Sequence, residues 1–189
     1  MSLIPAFDIG IWNAWIFMVL LLAPYFLLPL NIVPKGREGG SNFADEFNKA
    51  QKGVFLSIHM LNLLMFVYAV FVPMKLGTVW FYVGLPVYLI GIIFYALVFI
   101  AFIRTPAEKL VTGGIYRYSR NPMQLSSFLI VLGIGIATAS WIFMLLAVIY
   151  LVMPISWLKA EERHLLKHYG DVYREYMNKT PKYLGIPKS

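Results

Sequence analysis

Long runs of apolar residues limit what this 189-residue chain can fold into. Several runs extend over about twenty residues, the length at which a helix crosses ~30 Å of hydrocarbon. Hydrophobic residues make up 60% of the chain and charged residues only 13%, which is far from the composition of a soluble domain. The sequence therefore predicts an integral membrane protein.

The apolar runs divide the chain into five predicted membrane helices. The predicted segments are residues 11–33, 53–73, 79–103, 122–137 and 141–157, and a short interfacial helix is expected around residues 45–51. The last two segments form a helical hairpin across the turn 138–140, in which Gly133 and Gly135 should let the two helices pack closely. An amphipathic helix is expected over residues 159–178. We therefore predict an all-α, polytopic membrane protein. Residues 1–189 form a single membrane domain, with three helices in residues 1–103 and the loop, hairpin and C-terminal helix in residues 104–189.

The distribution of positive charge predicts how the helices are oriented. The chain has 16 lysines and arginines, and all except Lys75 lie in residues 34–52, residues 104–120 or the C-terminal tail. Five crossings place these three regions on one side, which the positive-inside rule makes cytoplasmic. The expected multi-pass protein has its N-terminus outside and its tail inside. The net charge of +7 thus indicates topology and contact with anionic lipid rather than nucleic-acid binding.

Several kinds of site are not suggested by the sequence. There are no cysteines, and the three histidines are scattered, so neither disulfides nor a metal centre is expected. No phosphate-binding glycine loop and no Ser-His-Asp set is present. The N-terminus lacks a basic region and a small-residue cleavage site, so the first apolar segment is expected to remain as a helix.

The polar loop of residues 104–121 is the most probable site of chemistry. It contributes Arg117 and Arg120, and Asn121 is predicted to cap the following helix, with a proline at its first position. Glu161 and Glu162 follow the fifth segment on the same side of the membrane, so carboxylates, guanidiniums and tyrosines should converge there. A cytoplasmic loop of this composition with no function is the alternative.

Two pairs of polar residues have two interpretations each. His59 and Asn62 lie three apart within an apolar run, where they either form interhelical hydrogen bonds or line a substrate path. His164 and His168 lie one turn apart on the tail helix. They are either possible bases or part of a solvated helix face.

The spaced motifs resemble one family. Residues 114–123 (GIYRYSRNPM), an apolar hairpin, Glu161-Glu162 and residues 169–176 (YGDVYREY) are similar to the isoprenylcysteine carboxyl methyltransferase and phospholipid methyltransferase group. The resemblance covers residues 108–181. It implies an enzyme, an integral membrane methyltransferase that uses S-adenosyl-L-methionine in a cytosol-facing pocket. Its acceptor would be a small amphiphilic or lipid-like molecule, and its partners would include the bilayer but no nucleic acid.

The resemblance also implies roles for particular residues. Arg120 and Glu161 are the expected catalytic residues, Trp157 lies at the position implied to bind substrate, and no metal is involved. The implied cofactor-binding residues are Glu108, Lys109, Leu110, Val111, Tyr116, Asn121, Pro122, Met123, Gln124, Glu161 and Glu162.

This chain departs from the family pattern at three positions. Asn121 replaces a common histidine, Gln124 replaces an aromatic residue and so changes the expected pocket wall, and Trp157 replaces an arginine thought to bind a substrate carboxylate. The last change argues against a prenylcysteine carboxylate as the acceptor. Two other functions stay open: an NADPH-dependent membrane reductase of the sterol-reductase type, and a non-catalytic membrane scaffold or transporter.

Overall fold

The computed structural model describes residues 9–27, 49–106 and 108–188. Seven α-helices and one 3₁₀ helix occur in these ranges, and no β-strand does. The all-α prediction is confirmed for this part of the chain. The predicted interfacial helix near residues 45–51 lies outside the described residues except for its last three, which begin a helix. The helices are α1 (Trp15–Leu27), α2 (Lys49–Val70), α3 (Val79–Arg104), α4 (Pro122–Ala137), α5 (Trp141–Val152), α6 (Ile155–Tyr169) and α7 (Asp171–Lys179), with the 3₁₀ helix at Gly114–Arg117.

Two of these helices are long and apolar enough to cross a membrane. They are the Lys52–Val70 part of α2 and the whole of α3. α4 and α5 are also apolar but shorter, with 16 and 12 residues. At 1.5 Å per residue they extend roughly 24 Å and 18 Å. α5 ends sooner than the predicted fifth segment because Pro154, which lacks a backbone N–H, interrupts the helix before α6 begins.

α4 is the central helix of the fold and packs against both α3 and α5. Met18, Met65, Tyr88, Ile130 and Phe143 are almost fully buried in a core to which α1 to α5 all contribute. Many apolar side chains on the outer faces of α2, α3 and α5 are exposed. These include Leu63, Leu64, Ile90, Ile93, Leu145 and Val148. An apolar exterior around an apolar core is typical of a protein surrounded by lipid.

Two glycines of α4 allow close approach to different neighbours. The sequence predicted that Gly133 and Gly135 both face α5. A Cβ on Gly135 would lie 2.9 Å from the backbone nitrogen of Met144 in α5, as predicted. A Cβ on Gly133 would instead lie 2.5 Å from the backbone nitrogen of Tyr88 in α3, so the prediction for Gly133 is wrong.

One polar pair links α2 to α5 inside the apolar region. The Asn62 amide donates to the hydroxyl of Tyr150 at 3.2 Å, and that hydroxyl lies 3.4 Å from the Asn62 carbonyl oxygen. This geometry is the interhelical hydrogen bond predicted as one of the two interpretations of Asn62. His59 is only partly buried on the same helix.

The tail forms two helices instead of the single amphipathic helix that was predicted. α6 and α7 meet at Gly170, whose φ of 54° and ψ of −123° end one helix and turn the chain into the next. A positive φ is readily adopted by glycine, which has no Cβ. The turn brings Tyr173 and Tyr176 of α7 into buried positions against the loop that precedes α4.

Candidate functional site

The loop before α4 is built around a short 3₁₀ turn. α3 ends at Arg104, and the chain reaches the turn at Gly114, which has a φ of 60°. Pro122 occupies the start of α4, as predicted. Asn121 is at the N-cap position, but its side chain makes no capping hydrogen bond. Its amide instead donates to the carbonyl of Lys182 at 2.9 Å, so the predicted capping role is wrong.

A compact ion cluster joins this loop to α6 and to the end of the chain. Arg120 Nη1 lies 3.1 Å from Glu162 Oε1, and Lys182 Nζ lies 3.3 Å from Glu162 Oε2. The three side chains are only 14%, 20% and 28% exposed in the order Arg120, Glu162 and Lys182. Breaking an ion pair at this depth leaves a poorly solvated charge, which makes the cluster more than a surface salt bridge.

Two tyrosines of α7 pack beside the ion cluster. The Tyr176 hydroxyl donates to the carbonyl of Tyr116 at 2.7 Å, which closes α7 over the loop. Burial raises the pKa of Tyr173 above its ordinary value and the Glu162 carboxylate adds to the rise, while Arg120 opposes it. Both tyrosines therefore stay protonated at neutral pH, and Tyr176 is a hydrogen-bond donor.

Glu161 has a different environment from Glu162. No salt bridge joins Glu161 to another residue in the described ranges, and Glu161 is only partly exposed. Burial of its carboxyl, with a smaller contribution from the neighbouring Glu162, raises the pKa of Glu161 to about 7, while His164 opposes the rise. The site thus holds one carboxylate paired with two cations and a second carboxyl that forms no salt bridge with a lysine or arginine of the described residues.

Gln124 links the start of α4 to the end of α5. Its amide nitrogen donates to the backbone carbonyl of Leu151 at 2.5 Å. This carbonyl lies near the end of α5, where Pro154 interrupts the backbone hydrogen bonds of the helix. Its Oε1 atom is buried and has no hydrogen-bond partner among the described residues. The sequence suggested only a changed pocket wall here. The structure adds a hydrogen bond across the helix pair.

Other predicted residues lie further from the ion cluster. Glu108 and Lys109 are exposed, and Leu110 and Val111 are partly exposed. In the described ranges, no hydrogen bond or ion pair joins these four to Arg120, Glu161 or Glu162, and Arg117 is exposed without an ion pair. Trp157 lies in α6 one turn before Glu161, but its side chain is outside the described part.

The two tail histidines lie on one side of α6 with parallel rings. Their ring centroids are 6.4 Å apart, and His164 is buried whereas His168 is exposed. The solvated-face interpretation therefore applies to His168 and is wrong for His164. The described residues include no group of acidic, histidine and cysteine side chains that could hold a metal ion.

Comparison with known proteins places this site in a family. The family model described as phospholipid methyltransferase matches residues 74–172, which is more than half of the chain. The chain belongs to the phospholipid methyltransferase family. The resemblance predicted from the sequence motifs is therefore confirmed.

A curated relative is similar to part of the chain. The protein-S-isoprenylcysteine O-methyltransferase of Schizosaccharomyces pombe is 34% identical over 85 residues, which is 44% of this chain. The match covers 35% of the relative, so this chain corresponds to about a third of that protein's length. Both matches are to methyltransferases, and membrane association agrees with the two span-length helices.

The phospholipid methyltransferase match ends before part of the site. Arg120, Glu161 and Glu162 fall inside residues 74–172, but Tyr176 and Lys182 follow them. Tyr176 ends the motif of residues 169–176 that carries the resemblance, and no sequence motif includes Lys182. A lysine near the chain end gives no signal for an ion pair with a residue 20 positions earlier. Only the fold reveals this contact.

Proposed function

We propose that this protein is an integral membrane methyltransferase that uses S-adenosyl-L-methionine and acts on a small amphiphilic or lipid-like acceptor. Family membership supports the reaction class. The enclosed Glu161 carboxyl is the observation that carries the cofactor assignment. A carboxyl with a raised pKa and no salt bridge to a lysine or arginine of the described residues is a favourable partner for a cationic ligand group.

The residues of the site fit the chemical groups of this cofactor. Glu161 accepts hydrogen bonds from the amino group or the ribose, since a carboxylate is acceptor-only when ionised. Arg120 keeps its Nε–H buried without a hydrogen-bond partner among the described residues, although its Nη1 contacts Glu162. That N–H is available to the amino-acid carboxylate. Arg120 and Glu161 are the proposed catalytic residues, and Glu162 orients Arg120.

The wall of the pocket is proposed from the loop and the start of α4. Tyr116 presents a ring that contacts Phe102 of α3 edge-on, with ring centroids 5.8 Å apart. Pro122 is buried, Met123 is exposed, and the buried Oε1 of Gln124 offers an acceptor. The proposed cofactor-binding wall consists of Glu108, Lys109, Leu110, Val111, Tyr116, Asn121, Pro122, Met123 and Gln124.

The cofactor supplies an activated methyl group on a sulfonium. The protein's contribution to such a transfer is mainly positioning, because an in-line displacement depends on holding donor and acceptor in register. Arg120, Glu162 and Glu161 hold one side of the site, and the aromatic ring of Tyr116 offers a face that favours positive charge.

The membrane arrangement completes the proposal. α1 to α5 form five crossings of one membrane domain over residues 1–189, with the N-terminus outside and the cofactor site cytoplasmic. Charge supports this orientation, because the turn between α2 and α3 carries only Lys75, whereas Arg104 ends α3 and Lys109, Arg117 and Arg120 lie between α3 and α4. α5 extends the crossing through the Pro154 break into the first turn of α6.

Trp157 is the proposed determinant of the acceptor. It precedes Glu161 by one helical turn, so both residues lie on the same side of α6. Tryptophan offers an aromatic face and one N–H donor, which suits a neutral or cationic acceptor better than a carboxylate. We expect little carboxyl methylation of a prenylcysteine analogue by the native protein and a gain with Trp157→Arg. Strong carboxyl methylation by the native protein would contradict this assignment.

Calorimetric titration of the detergent-purified protein tests the cofactor assignment. S-adenosylhomocysteine should bind with one site per chain, and NADPH should give no saturable heat. Saturable NADPH binding without S-adenosylhomocysteine binding would instead favour the reductase. Absence of both would favour the scaffold or transporter.

Two variants make this titration specific for the site. Glu161→Gln removes the charge of the enclosed carboxyl and should weaken S-adenosylhomocysteine binding. Glu175→Gln is the matched control, because Glu175 is exposed on α7 and pairs with Lys179 at 2.6 Å. Equal affinities for the two variants would remove Glu161 from the proposed site.

A further inference from the structure

The end of the chain folds back onto the loop that precedes α4. Residues 180–188, here called the C-terminal strap, follow α7 and run alongside residues 118–121. The backbone N–H of Arg120 donates to the carbonyl of Pro181 at 3.0 Å, and that of Gly185 donates to the carbonyl of Tyr118 at 3.0 Å. The strap therefore occupies the backbone N–H of Arg120 and the backbone carbonyl of Tyr118, two residues earlier.

Two side chains fasten the strap at its centre. The Asn121 amide donates to the Lys182 carbonyl at 2.9 Å, and the Lys182 ammonium reaches Glu162 Oε2 at 3.3 Å. Lys182 thus connects the loop through its backbone and α6 through its side chain. The other oxygen of Glu162 lies against Arg120. One lysine links three separate segments of the chain at the ion cluster.

The electrostatics favour this connection. With Lys182 in place, Glu162 has a cation beside each carboxylate oxygen. Lys182 therefore shares the negative charge of Glu162 with Arg120, and Arg120 stays in the loop. Without Lys182, the partly buried Glu162 would depend on Arg120 alone. Arg120 would be held more strongly by Glu162 and would be less available to a ligand carboxylate.

We infer that residues 181–185 of the C-terminal strap are part of the cofactor site and that Lys182 and Asn121 are positioning residues, which act through Glu162 and Arg120. This inference rests on the proposed function. It also explains why asparagine serves at position 121: its amide N–H anchors the strap through the Lys182 carbonyl. The strap lies beyond the family match, which ends at residue 172.

The test compares Lys182→Met with Lys188→Met. Methionine keeps an unbranched apolar stem and removes the charge. Lys188 is the matched control in the same strap, because its backbone N–H bonds to the Lys179 carbonyl at 2.8 Å and its side chain makes no ion pair among the described residues. Lys182→Arg restores a cation at the tested position.

Two readouts are needed, one of which requires no ligand. Hydrogen exchange of the backbone amides in residues 116–121 reports whether the strap holds the loop. Calorimetry with S-adenosylhomocysteine reports the cofactor site. We expect Lys182→Met to accelerate exchange there and to weaken affinity on the order of tenfold, or ~1.4 kcal/mol. Lys182→Arg should restore both values, and Lys188→Met should match the native protein.

The outcomes separate this inference from the proposed function. If the native protein binds S-adenosylhomocysteine and Lys182→Met binds it equally well, the strap is not part of the cofactor site. If the native protein binds none of it, the proposed function fails, and the exchange data alone decide whether the strap holds the loop. Should Lys182→Met not fold, Asn121→Ala is measured in its place, because it removes the amide that donates to the Lys182 carbonyl. Native exchange rates in residues 116–121 together with native affinity would then overturn the inference.

Discussion

Proton release from Glu161 when ligand binds is the sharpest prediction of the site's electrostatics. The free protein holds this carboxyl at a pKa of about 7, mainly because of burial. A cationic ligand group beside it favours the ionised form and lowers that pKa. Binding at pH 6 should therefore release about 0.9 proton per ligand, and binding at pH 8 about 0.1. Apparent affinity for S-adenosylhomocysteine should be about tenfold weaker at pH 6 than at pH 8.

Calorimetry in two buffers of different ionisation enthalpy measures the released protons directly. The Glu161→Gln variant is the reference, because it retains the ligand's own titration but lacks the carboxyl. At pH 8 its affinity should be roughly ten- to a hundredfold lower than that of the native protein. Equal proton release by the native protein and Glu161→Gln would refute the assignment of Glu161 to the cationic group.

The same raised pKa has a consequence for the ligand-free protein. A glutamate whose pKa in the folded state lies above its unfolded value stabilises the fold at low pH, and this stability is lost as pH rises through the folded pKa. Thermal stability should therefore fall between about pH 5 and 7 relative to Glu161→Gln. If thermal stability depends on pH in the same way in the native protein and in Glu161→Gln, the Glu161 carboxyl is exposed to solvent and the prediction is wrong.

Three further predictions concern the membrane part. A cysteine placed at Gly77 should be labelled from outside the cell and not from the cytoplasm, and cytoplasmic labelling would overturn the proposed topology. Gly133→Ala should lower thermal stability by about 1–3 kcal/mol because its Cβ meets the α3 backbone at 2.5 Å. Gly53→Ala, where a Cβ meets nothing within 4 Å, is the control, and equal effects would contradict the packing. A double-mutant cycle of Asn62→Ala and Tyr150→Phe should give a coupling free energy of about 0.6 kcal/mol. Additive changes in the free energy of unfolding would contradict this interhelical hydrogen bond.

Much of the helical arrangement was predictable because apolar periodicity and length are local properties. The predicted boundaries of 122–137 agree with α4, and α3 begins at the predicted residue. Helix-to-helix contacts were less predictable, since they depend on rotation about the helix axis. Gly133 shows this: two residues from Gly135 on the same helix, it faces another neighbour. The Gly170 break was also missed, because α6 and α7 continue the same apolar spacing on either side of it.

The site was predictable as a region but not as a set of contacts. Charge and motif spacing placed Arg120, Glu161 and Glu162 at one end of the chain's helices, and Arg120 does contact Glu162. The sequence does not show which of the two glutamates pairs with Arg120. Adjacent positions on a helix point about 100° apart, so only one of them faces the arginine. Lys182 reaches the cluster because the turn at Gly170 directs α7, and the residues after it, towards the loop before α4.

Transfer of an isotopically labelled methyl group tests the central claim most directly. The purified protein is incubated with S-adenosyl-L-methionine labelled in its methyl group and with a lipid extract in detergent micelles, and the label in the organic phase is counted. The native protein and the exposed-site variant Glu175→Gln should transfer label at similar rates, whereas Glu161→Gln should transfer far less. Organic-phase label that never exceeds a protein-free control, or that is the same for Glu161→Gln as for the native protein, would contradict the account.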